Sequence, residues 1–180
     1  MNYKARALAV LVAATATSAA TAADGTINFN GFLMAETCTV AVNNGQASGT
    51  TVTLPTLSTS VLSAAGLVAG QTFFNIQLSK CSASLKTAAA YFEGGGTVDS
   101  NTGNLRNSGG ATKVQLQLVD ATNGKVIKAG DTGQVATTSR IDIDGKTFTA
   151  ELPYAVQYFA EAATGPGTVV SSVTYSINYQ

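Results

Sequence analysis

Apolar and polar positions alternate most regularly over the last twelve residues, 169–180. Val169, Ser171, Val173, Tyr175, Ile177 and Tyr179 form one row, five of the six apolar or aromatic. Val170, Ser172, Thr174, Ser176, Asn178 and Gln180 form the other, all but one polar. A period of two over this length predicts a half-buried β-strand. The strand closes the chain, so a partner for its far edge has to come from elsewhere. A long apolar edge is an aggregation hazard unless something covers it. A second period-two run stands near the other end, where Ile27, Phe29, Gly31 and Leu33 alternate with Asn28, Asn30 and Phe32. The chain reads as a body placed between an unpaired strand and a loose one.

Within that body, strand-like runs recur with turn signals between them, which predicts an all-β sandwich. Thr37 to Val42 is extended, and Asn43-Asn44-Gly45 turns it. Thr50 to Leu54 is a short β-rich run closed by Pro55. Residues 58–69 carry the one helical pattern, capped by Ser58 or Thr59, with Val61, Leu62 and Ala65 at helical spacing and Gly66 and Gly70 keeping it short. Strands follow over 71–81, 88–92 and 113–120, with a brief one around Leu105 after the glycine-rich loop that starts at Gly94. Asn123-Gly124 and Asp144-Gly145 predict two-residue hairpin turns, the second joining 140–143 to 146–152. Residues 154–160 form a further strand, and Thr164-Gly165-Pro166-Gly167 turns the chain into the last one.

At 180 residues the chain suggests one domain with a real core. Its first 22 residues read as a secretory signal: Lys4 and Arg6 ahead of an apolar run from Ala7 to Ala14, then Ala20-Thr21-Ala22 as the cleavage motif. Cleavage is placed after Ala22, with Ala23 as the alternative, and the apolar run is too short to span a bilayer. Loss of Lys4 and Arg6 leaves 8 basic residues against 10 acidic, a net charge of −2. That gives no electrostatic case for nucleic acid or an anionic membrane. Export also decides the reading of Cys38 and Cys81, the only two cysteines. An oxidising compartment favours one disulfide over two free thiols or a two-ligand metal site, and the chain has no histidine to complete a zinc centre. Closing that loop stabilises by roughly 4 kcal/mol on the chain-entropy estimate.

The candidate chemistry is thin. Without histidine there is no serine–histidine or cysteine–histidine catalysis. Asp142 and Asp144 share a strand face, which suggests a calcium site or an acid pair. An EF-hand loop beginning at Asp142, however, puts Pro153 where a glutamate is needed. Asp144-Gly145 as a turn is the better reading. Gly94-Gly95-Gly96 lacks the lysine of a phosphate loop. Tyr91, Tyr154, Tyr158 and Phe159 could stack on sugars, but without tryptophan or clustered polar partners core packing is favoured for most. Nothing here points to an enzyme, a cofactor or a metal.

The segments Gly25 to Gly31, Thr37 to Val40, Phe74 to Cys81 and Pro153 to Ala160, together with the C-terminal strand, resemble type 1-like fimbrial pilins, the structural subunits of the chaperone–usher pathway of Gram-negative bacteria. Two marks are specific: a tyrosine next to last, Tyr179, and a glycine fourteenth from the end, Gly167. The resemblance implies an incomplete immunoglobulin-like β-sandwich lacking its last strand. It implies residues 1–22 as signal, 23–36 as a donor-strand extension and 37–180 as the pilin domain. Gly167, Val169, Val173, Tyr175, Ile177 and Tyr179 would build the strand beside the groove, which binds first a periplasmic chaperone and then, at the outer-membrane usher, the extension of the next subunit. Ile27, Phe29 and Leu33 would fill pockets in that neighbour, with Gly31 where the groove floor comes close. Each subunit then gives a strand to one neighbour and takes one from another, a head-to-tail contact that does not close and so makes a homopolymeric adhesive filament. Partners are other subunits, chaperone and usher, and, where the pilus is adhesive, a host or surface receptor. The alternatives are a minor adaptor or tip subunit of the same pathway, and a secreted monomeric carbohydrate-binding β-sandwich.

Overall fold

A computed structural model describes residues 37–46 and 49–180. The strands are β1 (Thr39–Val42), β2 (Val68–Ser79), β3 (Thr87–Phe92), β4 (Leu105–Arg106), β5 (Val114–Asp120), β6 (Val126–Ile127), β7 (Ile141–Asp142), β8 (Ala150–Ala160) and β9 (Tyr175–Tyr179). The larger sheet has the order β1-β2-β8-β5-β4, with β6 also on β5; the smaller has the order β7-β3-β9. Every one of these pairings is antiparallel. The architecture is an immunoglobulin-like sandwich, all-β as the periodicity predicts.

The core lies between the two sheets. Ile76 and Leu78 of β2, Leu152 and Tyr154 of β8, and Ala88 and Phe92 of β3 are almost fully buried. The Tyr154 hydroxyl accepts a hydrogen bond from the Ala90 N–H at 2.8 Å, tying β8 to β3 across the sandwich. Its ring meets Phe92 edge-on at 5.1 Å. Burial pushes the Tyr154 phenol up to about 12, reinforced by nearby Asp120 and opposed by the Ala90 N–H and Arg140. Cys38 and Cys81 are bonded to each other, fastening the chain just before β1 to the turn after β2.

Several predicted elements take a different form. The helical pattern over 58–69 yields one 3-10 turn, Thr59–Leu62, capped by the Ser58 hydroxyl. Leu62 alone of its apolar positions is buried, the turn stops at Ser63, and past Gly66 at φ +83° Val68 and Ala69 join β2 instead. The last strand is five residues long, not twelve. Ahead of it the main chain of 168–170 bonds to the 107–111 loop, through Ala111 N–H to Thr168 and Ser108 N–H to Val170. The Asn123-Gly124 turn is part of a four-residue loop closed by Asp120 N–H to Lys125. Asp144-Gly145 joins no hairpin: β7 pairs with β3 and β8 with the other sheet, so this connection crosses between sheets. The Asp144 carboxylate accepts the N–H groups of Lys146 and Thr147 at 2.7 and 2.8 Å. Those N–H groups, Thr147's above all, hold the carboxyl below its ordinary range, and its oxygens serve the turn. Thr50 to Leu54 belongs to no strand, although Val52 and Leu54 pack on the core.

Candidate functional site

Among the described residues, nothing fills the space between β1 and the last strand. A groove of about 890 Å³ runs there, with Val40, Val42, Val52 and Leu54 on one side and Val173, Tyr175, Ile177 and Tyr179 on the other. Its floor is the core itself, reached through Phe74, Ile76 and Leu118 of the larger sheet and Phe92 of the smaller. Elsewhere in an antiparallel sandwich such side chains are roofed by a neighbouring strand. Among the described residues, no charged side chain lines it. Burial raises the Tyr175 phenol above its ordinary value. An occupant of this groove is held by apolar contact and main-chain bonds, not by charge.

The register of β9 determines what its edge offers. Gln180 and Thr87 exchange both N–H···O bonds, Gln180 N–H to Thr87 and Thr87 N–H to Gln180, each at 2.9 Å. In an antiparallel ladder such doubly bonded pairs alternate with pairs whose main-chain groups face away. The next doubly bonded pairs inward are therefore Asn178 with Ala89 and Ser176 with Tyr91. Ile177 and Tyr179 consequently aim their N–H and C=O groups at the groove, while their side chains lean half-buried onto the core. At one end of the groove the Cys38 N–H reaches the Tyr179 hydroxyl at 3.4 Å, beside the disulfide. Toward the other, Ser171 contributes a buried hydroxyl with no hydrogen-bond partner among the described residues.

Of the residues singled out in the sequence, Val173, Tyr175, Ile177 and Tyr179 come together on one groove wall. Val169 packs instead against the two apolar clusters without lining the groove. Gly167 sits at φ +151°, and a Cβ there would collide with the main chain of Gly110 and Ala111. Its place is the tight turn that leads into the wall. Ile27, Phe29, Gly31 and Leu33 lie outside the described residues. The opposite wall, Val52 and Leu54 above all, was not singled out, although the β-rich run of Thr50 to Leu54 carries its signal. Tyr154 is buried and cannot stack on a sugar. No group of three or more acidic, cysteine or histidine residues among those described could hold a metal ion.

Comparison with known proteins agrees with this fold. The family model of FimA, the type-1 fimbrial protein A, matches residues 54–180. The chain is 47% identical over 170 residues to the major fimbrial subunit SMF-1 of Stenotrophomonas maltophilia, covering 92% of this chain and 98% of that one. It is 32% identical to the type-1 fimbrial protein A chain of Escherichia coli, over the full length of both. Among solved structures, the P pilus rod subunit PapA superposes with a TM-score of 0.55 at 21% identity, over 86% of this chain and all of that one, a likeness of fold. The chain belongs to the type-1 fimbrial protein family.

Proposed function

We propose that this chain is a polymerising structural subunit whose open groove takes a strand from another molecule, and whose own residues 23–36 fill the groove of the next. As a fimbrial subunit it is exported and assembled into fimbriae on the cell surface. The observation that carries the strand reading is the groove beside β9, with core side chains as its floor and the Ile177 and Tyr179 main chain along its edge. An edge of that kind is completed by adding an extended peptide, with main-chain bonds for affinity and alternate side chains for specificity. Ile27, Phe29 and Leu33 supply an alternating row of the right character, each burial contributing roughly 1.5–3 kcal/mol. A periplasmic chaperone fills the groove first, and the exchange takes place at the outer-membrane usher.

The test is strand uptake by the chaperone-bound subunit, using a synthetic peptide of residues 24–35. Wild-type peptide should displace the chaperone. A Gly31→Leu peptide should exchange far more slowly, because overpacking a filled core costs about 1–3 kcal/mol. Asn30→Leu, on the other face of the strand, should be milder. Equal rates for all three peptides would remove Gly31 from the groove floor. No displacement by any of them would overturn the groove as a strand acceptor.

A further inference from the structure

We propose that Arg140 is a positioning residue for the groove, a fork on the outer face of the smaller sheet that holds β9 in the register an incoming strand reads. The inference rests on the groove reading above. Four hydrogen bonds carry it. Arg140 Nε donates to the Thr87 hydroxyl at 2.9 Å, and one terminal nitrogen donates to the Asn178 side-chain oxygen at 2.8 Å. The other terminal nitrogen donates to the main-chain carbonyls of Thr87 at 3.2 Å and of Asn178 at 3.0 Å. All four acceptors are neutral oxygens, and they belong to the two strands of the pair that forms the groove wall.

The placement follows from register. β7 pairs with β3 as Thr87 with Asp142 and Ala88 with Ile141. One step further sets Arg140 opposite Ala89, and Ala89 is opposite Asn178 on β9. Arg140, Ala89 and Asn178 thus form one row across the sheet, on the face turned away from the core. Ala89 is small enough for a long side chain to pass over it, and it is only 5% exposed. The planar guanidinium then grips two successive strands at once, which a lysine ammonium cannot do from one point.

The consequence for the groove is local. Asn178 lies between Ile177 and Tyr179, the two residues whose main chain faces the acceptor edge. Holding Asn178 from outside fixes its neighbours toward the inside without placing any atom in the groove. β9 needs such a hold, because within the described chain it has a partner strand on one side only and is five residues long. Short terminal strands open first.

The experiment compares wild type with Arg140→Ala, Arg140→Lys, Asn178→Ala and the Arg140→Ala/Asn178→Ala double variant, each as the mature chain with the 24–35 peptide bound. Peptide release and site-resolved amide exchange are measured. Release should be roughly fivefold to tenfold faster for both Arg140 variants, as expected when hydrogen bonds to a charged group are lost. Amide protection should fall at Asn178 and Gln180 and stay unchanged at Leu116 and Leu152. The double variant should be no faster than Arg140→Ala, since the two residues act through one contact. Unchanged release in the Arg140 variants would overturn the proposal and leave the groove reading intact, as would full rescue by lysine. An even loss of protection in β8 and β9 would also overturn it, by showing a general structural role. A wild-type chain that never takes up the peptide would overturn both.

Discussion

Strands β8 and β9 carry inward rows of much the same chemistry, Leu152, Tyr154 and Val156 on one and Tyr175, Ile177 and Tyr179 on the other. In β8 these side chains are buried to within a few per cent, Leu152 completely. In β9 all three remain partly exposed. The cause is the number of neighbours. β8 lies between β2 and β5 and is paired along its length on both sides, whereas among the described residues β9 pairs with β3 alone. Alternation in a sequence says which face of a strand turns inward. It does not say how many strands will come to cover that face. On the proposed reading the uncovered share of core is the part left for another chain, so β8 would measure folding and β9 assembly.

The largest effect that can sharpen the contrast comes from the disulfide, which ties the start of the β1 wall to the body. Cys38→Ser should destabilise the subunit by roughly 4 kcal/mol by releasing the closed loop, and exported protein should be degraded in the periplasm. Urea unfolding, with thiol alkylation to confirm the pairing in wild type, checks this; two alkylatable thiols in the folded exported chain would refute it. Next is Leu152→Ala in β8. A fully buried leucine with strands on both sides should cost about 3 kcal/mol, whether the groove is empty or filled. A cost that changes with groove occupancy would break the division between the two strands.

Smaller again is the response to alkaline pH. The folded chain holds the Tyr154 phenol near 12, above its unfolded value of 10. The neutral form is therefore favoured by folding. The stability it contributes is complete below about pH 10 and is lost between about 10 and 12, as the unfolded phenol ionises first. A shift of that size corresponds to about 2–3 kcal/mol. Tyr154→Phe should flatten the pH dependence of urea midpoints across this window. Tyr175 is shifted in the same direction by its partial burial. Strand binding should move it further and leave Tyr154 where it is, measurable as phenolate absorbance with and without the 24–35 peptide.

How much could be read in advance follows the same division. The long strands β2, β5 and β8 were legible from period two because each has a core to bury against. The second row of β5 was not. Gln115 and Gln117 look like solvent positions, yet both are buried, with Gln117 accepting from Gln157 and donating to Asn104. Polar side chains can fill a covered face when they satisfy one another, and no pattern of hydrophobicity shows that. Turns were located better than they were typed. Asp144-Gly145 has the composition of a tight hairpin, but its flanking strands belong to different sheets and the left-handed residue is Phe148, at φ +54°. Of the groove, the β9 wall was visible as alternation. The facing wall was legible only as the β-rich run of Thr50 to Leu54, because Val52 and Leu54 lie on an irregular segment whose contribution depends on where the chain is carried. Arg140 gave no signal at all, since its meaning depends on the register of three strands.

The smallest expected change is the most telling. Ile177→Ala in the free subunit removes a side chain that is still partly exposed, so the lost transfer energy and the residual cavity are smaller than for a fully covered residue, and the expected cost is about 1–2 kcal/mol. With the 24–35 peptide in the groove the same side chain is roofed by the added strand, and its truncation should then cost about 2–4 kcal/mol, as for a core isoleucine. The difference between the two states appears as weaker peptide binding, roughly tenfold to a hundredfold, since each 1.4 kcal/mol is a factor of ten. Denaturation of the variant with and without peptide measures both numbers on one protein. Leu152→Ala is the control, because a residue already covered by its own chain has nothing to gain from the peptide. If Ile177→Ala costs the same in both states, β9 is an ordinary edge strand and the uncovered core beside it is not where a second chain binds.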